Sequence, residues 1–191
     1  MYISQKTKGF SLVEVLVAIA ILLLALVGPM TIAAKGIQSA SYVREQTTAL
    51  YLAQEGIEAF TAMRNDSAIA ALGINDKTKT WDWVAEAALA PCFTTDKCNI
   101  DYQNNNPVTS ITDCSSGDCA LYFNINKSRA RYFLNGPAAQ LTPYTREIRI
   151  ENISGENGVS VKSTVSWNTR LFGSAEQSVT LTTTLMDIYG N

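Results

Sequence analysis

The chain has 191 residues, a formal net charge of −2 at pH 7 and a hydrophobic fraction of 47%, which suits one modest globular domain with an appendage. It contains no histidine, so Ser-His-Asp catalysis, Cys-His catalysis and histidine-ligated metal sites are excluded. The acidic balance argues against broad nucleic-acid binding, which needs clustered cations.

An apolar run from residue 10 to residue 27 dominates the N terminus. Its only polar side chains are Ser11 and Glu14, and neither Gly nor Pro occurs before Gly28 and Pro29. As a helix the run would extend roughly 27 Å, close to the hydrocarbon thickness of a bilayer. A carboxylate in such a segment is costly and usually has a specific partner. The run therefore predicts a single membrane-spanning helix in which Glu14 has a role. The alternative is a passive anchor with Glu14 near enough to the interface to reach water.

The leader before this run is short and basic. Residues 1–9 carry Lys6 and Lys8 and no acid, and positive charge keeps that end in the cytoplasm. A secretory signal would have a shorter apolar core followed by its cleavage site. Here the small residue, Gly9, precedes the apolar run. A cut at Gly9 would keep the hydrophobic helix in the mature protein.

The N terminus reads Lys8-Gly9-Phe10-Ser11-Leu12-Val13-Glu14-Val15-Leu16. This stretch resembles the class III signal sequences of type IV pilins and pseudopilins. The resemblance implies that a prepilin peptidase cuts between Gly9 and Phe10 and N-methylates the new Phe10 amine. It also implies that Glu14, the fifth residue after the cut, is the glutamate used in filament assembly. This first resemblance covers about thirty residues.

The fold that the resemblance implies is α+β, the type IV pilin fold. A long N-terminal helix would have a protruding apolar half and an amphipathic half packed on a C-terminal antiparallel β-sheet. The expected divisions are a leader (1–9), a transmembrane or filament-core helix (10–29), an amphipathic helix (30–65) and a globular domain (66–191). The last of these contains a cysteine loop (91–119) and a sheet (120–188).

Gly28 and Pro29 predict a kink or local unwinding of the first helix, because Pro removes one backbone hydrogen bond and clashes with the preceding turn. A joint that adapts the helix between membrane and filament and a plain kink are both open. Beyond Met30 the pattern becomes amphipathic, with the helix expected to reach about Arg64 and to break at residues 65–67. The stripe expected to pack on the sheet is Ala49, Leu50, Ala53, Ile57 and Phe60, with Val43, Leu50 and Ile57 on one heptad position.

Residues 81–90 read as a short helix stopped by Pro91, with Trp81 and Trp83 covering the core. The acids Glu55 and Glu58 share a face of the long helix and are expected to be solvated.

The four cysteines, Cys92, Cys98, Cys114 and Cys119, lie in a polar stretch beyond the membrane segment. An even count at short spacing in an exported domain favours disulfides, although the sequence does not choose among the three possible connectivities. Pairing of neighbours would close two small loops. A four-thiolate zinc site is the rival, but only the second pair has a usual knuckle spacing. Four nearby acids offer calcium ligands without an ordered spacing: Asp96, Asp101, Asp113 and Asp118.

The C-terminal half predicts antiparallel strands with one apolar and one polar face, at residues 120–125, 130–134, 145–153, 159–167 and 179–185. Ile148 and Ile150 share one face of the third strand. The stretches Ala53-Gln54-Glu55-Gly56-Ile57-Glu58 and Tyr144-Thr145-Arg146-Glu147-Ile148 resemble minor pilins and pseudopilins of the V and I types. This second resemblance is looser but extends over most of the chain.

Lys127, Arg129 and Arg131 would share one face of a strand beside aromatic residues. Such a patch suits DNA or another polyanion, whereas a solvated strand face is the simpler interpretation in an acidic protein. It supports the alternative function, a tip module that binds DNA or a surface.

The sequence therefore predicts a structural subunit of a type IV pilus or a type II secretion pseudopilus, specifically a minor pilin or pseudopilin. The expected partners are other pilin or pseudopilin subunits, the prepilin peptidase and the inner-membrane assembly platform. The chain would cross the inner membrane once, with its C-terminal domain outside the cytoplasm, before joining a pilus or periplasmic pseudopilus. No catalytic residues, metal or cofactor are expected.

Overall fold

The computed structural model describes residues 9–73, 89–93, 97–100, 111–114, 119–124, 131–133, 140–154, 158–168 and 175–186. The described helices are α1 (Leu12–Gly73) and α2 (Ala90–Phe93). The described strands are β1 (Cys98–Ile100), β2 (Ile111–Asp113), β3 (Ala120–Asn124), β4 (Arg131–Phe133), β5 (Gln140–Asn152), β6 (Gly158–Asn168) and β7 (Glu176–Met186). The chain divides into two compact units, Met1–Val43 and Arg44–Asn191.

In the first unit, α1 exposes its apolar side chains on all sides. Every described residue from 9 to 40 is exposed, and Leu24 reaches 77%. The helix runs through Gly28 and Pro29, and the Thr31 hydroxyl donates to the Gly28 carbonyl at 2.7 Å. The predicted local unwinding at Gly28 and Pro29 is therefore wrong, because the surrounding hydrogen bonds hold the turn in which Pro29 lacks a donor. A kink at these residues stays a prediction.

In the second unit, α1 packs on the sheet through a face that includes Ala49, Ala53 and Phe60 of the predicted stripe but not all of its members. The buried helix residues are Ala49, Leu52, Ala53, Gly56, Ala59, Phe60, Met63 and Ala68. Leu50 is 41% exposed, Val43 is exposed in the first unit, and Ile57 is only half-buried. The predicted stripe was wrong in these members because a strict seven-residue repeat drifts by about 20° per heptad around a straight helix.

Helix α1 also continues past its predicted end to Gly73. Asn65, Asp66 and Ser67 did not break it, because each costs at most about 0.7 kcal/mol in a helix interior and tertiary packing overrides such a preference. The packing here is a buried Ala68 and an Arg64 guanidinium that donates to the Met186 carbonyl at 3.3 Å.

The sheet is antiparallel in every described pairing and is organised on β5. One edge of β5 pairs with β6, which pairs with β7 over eleven residue pairs. The other edge of β5 pairs with two strands. Near the start of β5, Leu141 and Thr145 pair with β3, and farther along β5, Ile148 pairs with β1. Burial alternates along β5 and β6, so the predicted two-faced strands are confirmed. The packing of a long N-terminal helix on this sheet confirms the α+β pilin fold.

The structure corrects one local prediction. Strands β1 and β2 lie within the stretch expected to be a cysteine loop, because three-residue strands are too short to show an alternating pattern. Pro91 lies in the first turn of α2, where a proline gives up no helical hydrogen bond. The predicted helix at residues 81–90 lies mostly outside the described residues. Trp81 and Trp83 lie outside the described residues.

Helix and sheet come close together at Gly56. A Cβ there would lie 2.9 Å from Ser163 Oγ, 3.1 Å from Ile148 Cδ1 and 3.2 Å from Arg146 Cδ. Gly56→Val should therefore lower the free energy of unfolding of the second unit by about 3 kcal/mol through overpacking. The measurement is urea unfolding of the full chain in detergent, followed by Trp fluorescence.

Gly36→Val is the matched control, because a Cβ at Gly36 meets nothing within 4 Å. Its change should stay within about 0.5 kcal/mol. Equal urea midpoints for wild type and Gly56→Val would contradict the close contact.

Candidate functional site

The predicted processing site precedes the first helix. Gly9, Phe10 and Ser11 have no regular secondary structure, and α1 begins with Val15 N–H donating to the Ser11 carbonyl at 3.2 Å. Phe10 is 80% exposed. A peptidase needs an extended, accessible peptide bond, and the bond between Gly9 and Phe10 is both exposed and outside the helix.

Glu14 lies in the first turn of α1 and is exposed. A carboxylate at this end of a helix is stabilised by the helix dipole. The spacing Ser11-x-x-Glu14 matches a capping box, a signal that the sequence reasoning missed. However, Glu14 forms no hydrogen bond or ion pair with any residue in the described part of the chain. Its carboxylate is therefore not used in any contact among the described residues.

The helix that follows Glu14 is suited to a membrane. Among the described residues, α1 is the one helix long and apolar enough to cross a bilayer, and its apolar window is wholly exposed. A water-soluble protein rarely exposes a continuous apolar surface of this size. Length, composition and exposure together fit a membrane-anchored precursor.

A second cluster, which the sequence reasoning missed, lies where α1 meets the sheet. Arg146 is 3% exposed, and its guanidinium donates to Asn99 Oδ1 at 2.8 Å, to the Ile100 carbonyl at 2.6 Å and to the Leu52 carbonyl at 3.1 Å. Strand alternation could have found it, because Arg146 has the same parity as the buried residues Ile148 and Ile150.

Glu55 completes this cluster. Its Oε2 lies 3.4 Å from Arg146 Nη1, although the Glu55 side chain is 47% exposed. Glu55 is therefore solvated, as predicted, and in addition faces Arg146. Glu58 is exposed too and accepts a hydrogen bond from Gln54 at 2.9 Å. The two stretches with the looser pilin resemblance meet here, since one supplies Glu55 and Gly56 and the other supplies Arg146.

The cysteines form two disulfides between neighbours, Cys92–Cys98 and Cys114–Cys119, and all four are buried. The prediction of disulfides is confirmed, and the zinc alternative fails because no thiolate remains. Among the described residues no His, Cys, Asp or Glu cluster could hold a metal ion. Of the four calcium candidates only Asp113 is described, at the end of β2, while Asp96, Asp101 and Asp118 lie outside.

The predicted anion patch is mostly outside the described residues. Arg131 begins β4, but Lys127 and Arg129 fall in the range 125–130, which is not described. The patch stays a prediction.

An aromatic row lies on the same sheet. Ring centroids are 6.1 Å apart for Tyr132 and Tyr144 and 6.3 Å apart for Tyr144 and Trp167. The Tyr144 hydroxyl donates weakly to the Glu45 carbonyl, at 3.4 Å. Burial raises the pKa of Tyr144, with a hydrogen bond to Thr48 acting in the opposite direction, and burial likewise raises the pKa of Tyr132. Both tyrosines therefore favour the protonated form in the folded protein.

Residues 4–28 match the family model described as the prokaryotic N-terminal methylation motif. No curated protein and no solved structure gave a significant match to the chain. The matched range contains the Gly9–Phe10 bond, Glu14 and the first half of the exposed apolar helix. The N terminus is thus a class III signal peptide of the type IV pilin kind, which is a motif of pilin and pseudopilin precursors.

The raised tyrosine pKa values predict a loss of stability at high pH. A folded-state pKa above the unfolded value of about 10 gives a contribution that is fully present below pH 10 and is lost as the pH rises through the folded value. Tyr144→Phe should therefore lose less stability than wild type between about pH 9 and pH 11. The measurement is the urea unfolding midpoint as a function of pH.

Tyr51→Phe is the matched control, because Tyr51 is 66% exposed on α1. Its midpoint should follow the wild-type curve across the same range. Parallel curves for Tyr144→Phe and wild type would show that the folded protein does not favour protonated Tyr144.

Proposed function

We propose that this chain, whose N terminus is a type IV pilin signal, is a minor pilin or pseudopilin that serves as a structural subunit of a type IV pilus or type II secretion pseudopilus. The observation that supports the proposal most directly is the methylation motif at residues 4–28, placed at the start of a fully exposed apolar helix. The α+β architecture of the second unit is consistent with this role.

Processing would change the chemistry of the N terminus. Cleavage between Gly9 and Phe10 removes the basic leader and creates a cationic α-amine on Phe10, which the same peptidase would methylate. In a bundle of apolar helices, that amine on one subunit and Glu14 on its neighbour would attract each other strongly, because a low dielectric strengthens the Coulomb term. Neither charge is well solvated in that environment without the other. The pair would set the axial register of neighbouring helices.

Before assembly, the subunit would wait in the inner membrane. Lys6 and Lys8 favour a cytoplasmic leader. The second unit would then lie outside the cytoplasm, where both disulfides would be stable. The partners would be the prepilin peptidase, an assembly platform in the membrane and other pilin or pseudopilin subunits.

Gly9→Leu should leave the leader attached, because a bulky side chain beside the scissile bond would not fit a site that accepts glycine. The measurement is intact mass after coexpression with a prepilin peptidase, with the uncleaved mass expected for the variant and loss of residues 1–9 for wild type. The control is Gly36→Leu, whose mass should show normal cleavage. Cleavage of both variants at the wild-type rate would remove the processing claim.

Glu14→Ala should give a processed, membrane-bound protein that assembles poorly. Leaving the Phe10 amine without its partner costs about 3–5 kcal/mol, which corresponds to at least about a hundredfold weaker association. The measurement is the fraction of subunit recovered in sheared filaments.

Glu58→Ala is the control, because it removes an exposed carboxylate from the same helix without touching the N terminus. It should enter filaments normally. Equal recovery of Glu14→Ala and Glu58→Ala would refute the role of Glu14 in assembly.

A further inference from the structure

The hairpin formed by β1 and β2 is held to the sheet by few backbone pairs. Strand β1 has three residues and pairs with β5 only at Cys98 and Ile148 among the described residues. Its other pairings are with β2, itself three residues long. Nevertheless all three β1 residues are fully buried. Something besides the strand ladder must keep β1 in place.

Two disulfides provide such a restraint, one at the start of β1 and one directly after β2. Cys98, the first residue of β1, is bonded to Cys92 in α2. Cys114, directly after β2, is bonded to Cys119, directly before β3. The Cys119 carbonyl in turn accepts a hydrogen bond from the Arg146 backbone N–H at 3.1 Å. The hairpin is thus tied covalently to α2 on one side and to β3 on the other.

Strand β1 supplies two acceptors to the buried Arg146 side chain. Asn99 Oδ1 and the Ile100 carbonyl are its shortest contacts, at 2.8 and 2.6 Å, and both residues directly follow Cys98. The carboxylate that faces Arg146, on Glu55, is farther away at 3.4 Å and half-exposed. A buried guanidinium needs its donors satisfied. The burial of Arg146 therefore depends on the position of β1.

We propose that the Cys92–Cys98 disulfide is an oxidation-dependent lock that completes the acceptor set of Arg146, so that the sheet packs firmly on α1 only after this bond has formed. In the reduced chain β1 has no covalent restraint next to Asn99, and Arg146 loses the two acceptors that β1 supplies. The cation is then drawn to water, and the helix–sheet contact around Gly56 loosens with it.

The chemistry of the lock is thiol–disulfide exchange. A thiolate of Cys92 or Cys98 attacks a low-molecular-weight or protein disulfide of the oxidising compartment and forms a mixed disulfide with release of one thiol. The second cysteine then displaces the other thiol. Two electrons and two protons pass from the cysteine pair to the attacked disulfide, which is reduced to two thiols. The proposal concerns folding of the second unit and does not depend on the filament role.

A double-mutant cycle tests the coupling. The four full-length proteins, in detergent and without reductant, are wild type, Arg146→Met, Cys92→Ser/Cys98→Ser and the triple variant. We expect Arg146→Met to lower the urea midpoint at least twice as much in the wild-type background as in the Cys92→Ser/Cys98→Ser background, because the lock is already open there. Equal shifts in both backgrounds would overturn the proposal.

Lys162→Met is the matched control, since Lys162 is an exposed cation on β6. Its shift should be the same in both backgrounds. If it shows the same background dependence as Arg146→Met, the coupling is not specific to Arg146 and the proposal fails.

A second measurement keeps the test decisive if a cysteine variant does not fold. Wild type and Arg146→Met are each unfolded in urea with and without a phosphine reductant, which needs no cysteine substitution. Reduction should shift the midpoint of wild type at least twice as far as that of Arg146→Met. An equal shift for the two proteins would show that the disulfides act independently of the buried guanidinium.

Discussion

The second unit depends on the burial of one cation between a helix and a sheet. Arg146 projects from β5 toward α1 and is satisfied by groups from two other elements: Asn99 and Ile100 in β1, and Leu52 and Glu55 in α1. A buried charge is tolerated only where such partners are in place. The guanidinium therefore specifies how α1, β1 and β5 are arranged as well as adding contact energy.

The close approach of helix and sheet follows from small residues at the same place. Ala49, Ala53, Gly56 and Ala59 are buried on α1, and Gly56 has no room for a Cβ. Small side chains bring the helix backbone near enough for the Leu52 carbonyl to accept from Arg146. Larger apolar residues at the end of this face, Phe60 and Met63, then fill the core beside Ile150 and Val161. The helix–sheet interface thus has two neighbouring parts. Backbone and side chains approach closely at Gly56 and Arg146, and large side chains fill the core next to them.

The fold class followed from the pilin resemblance, whereas the strand faces followed from the two-residue periodicity of the sequence. Alternation placed Ile148 and Ile150 correctly. The N-terminal signal could be recognised because it consists of residue types in a fixed order and spacing. The packing face of α1 was right at Ala49, Ala53 and Phe60 and wrong at Leu50, because a strict seven-residue repeat drifts around a straight helix.

Strands β1 and β2 could not be predicted, since three residues are too few to show an alternating pattern. The burial of Arg146 could have been predicted, because it alternates in step with the buried residues Ile148 and Ile150. Only its charge argued against burial.

The two units differ in how a charged side chain is accommodated: one buries and pairs it, and the other exposes it. In the second unit Arg146 is buried and paired within the chain, so its hydrogen bonds and ion pair form when the domain folds. In the first unit Glu14 is exposed and has no partner among the described residues, so its electrostatic energy is not used in folding. The exposed apolar surface of residues 12–40 follows the same logic, because it can be buried only in lipid or against other helices. A chain built in this way can fold its second unit while the apolar surface of α1 stays available for lipid or for other helices.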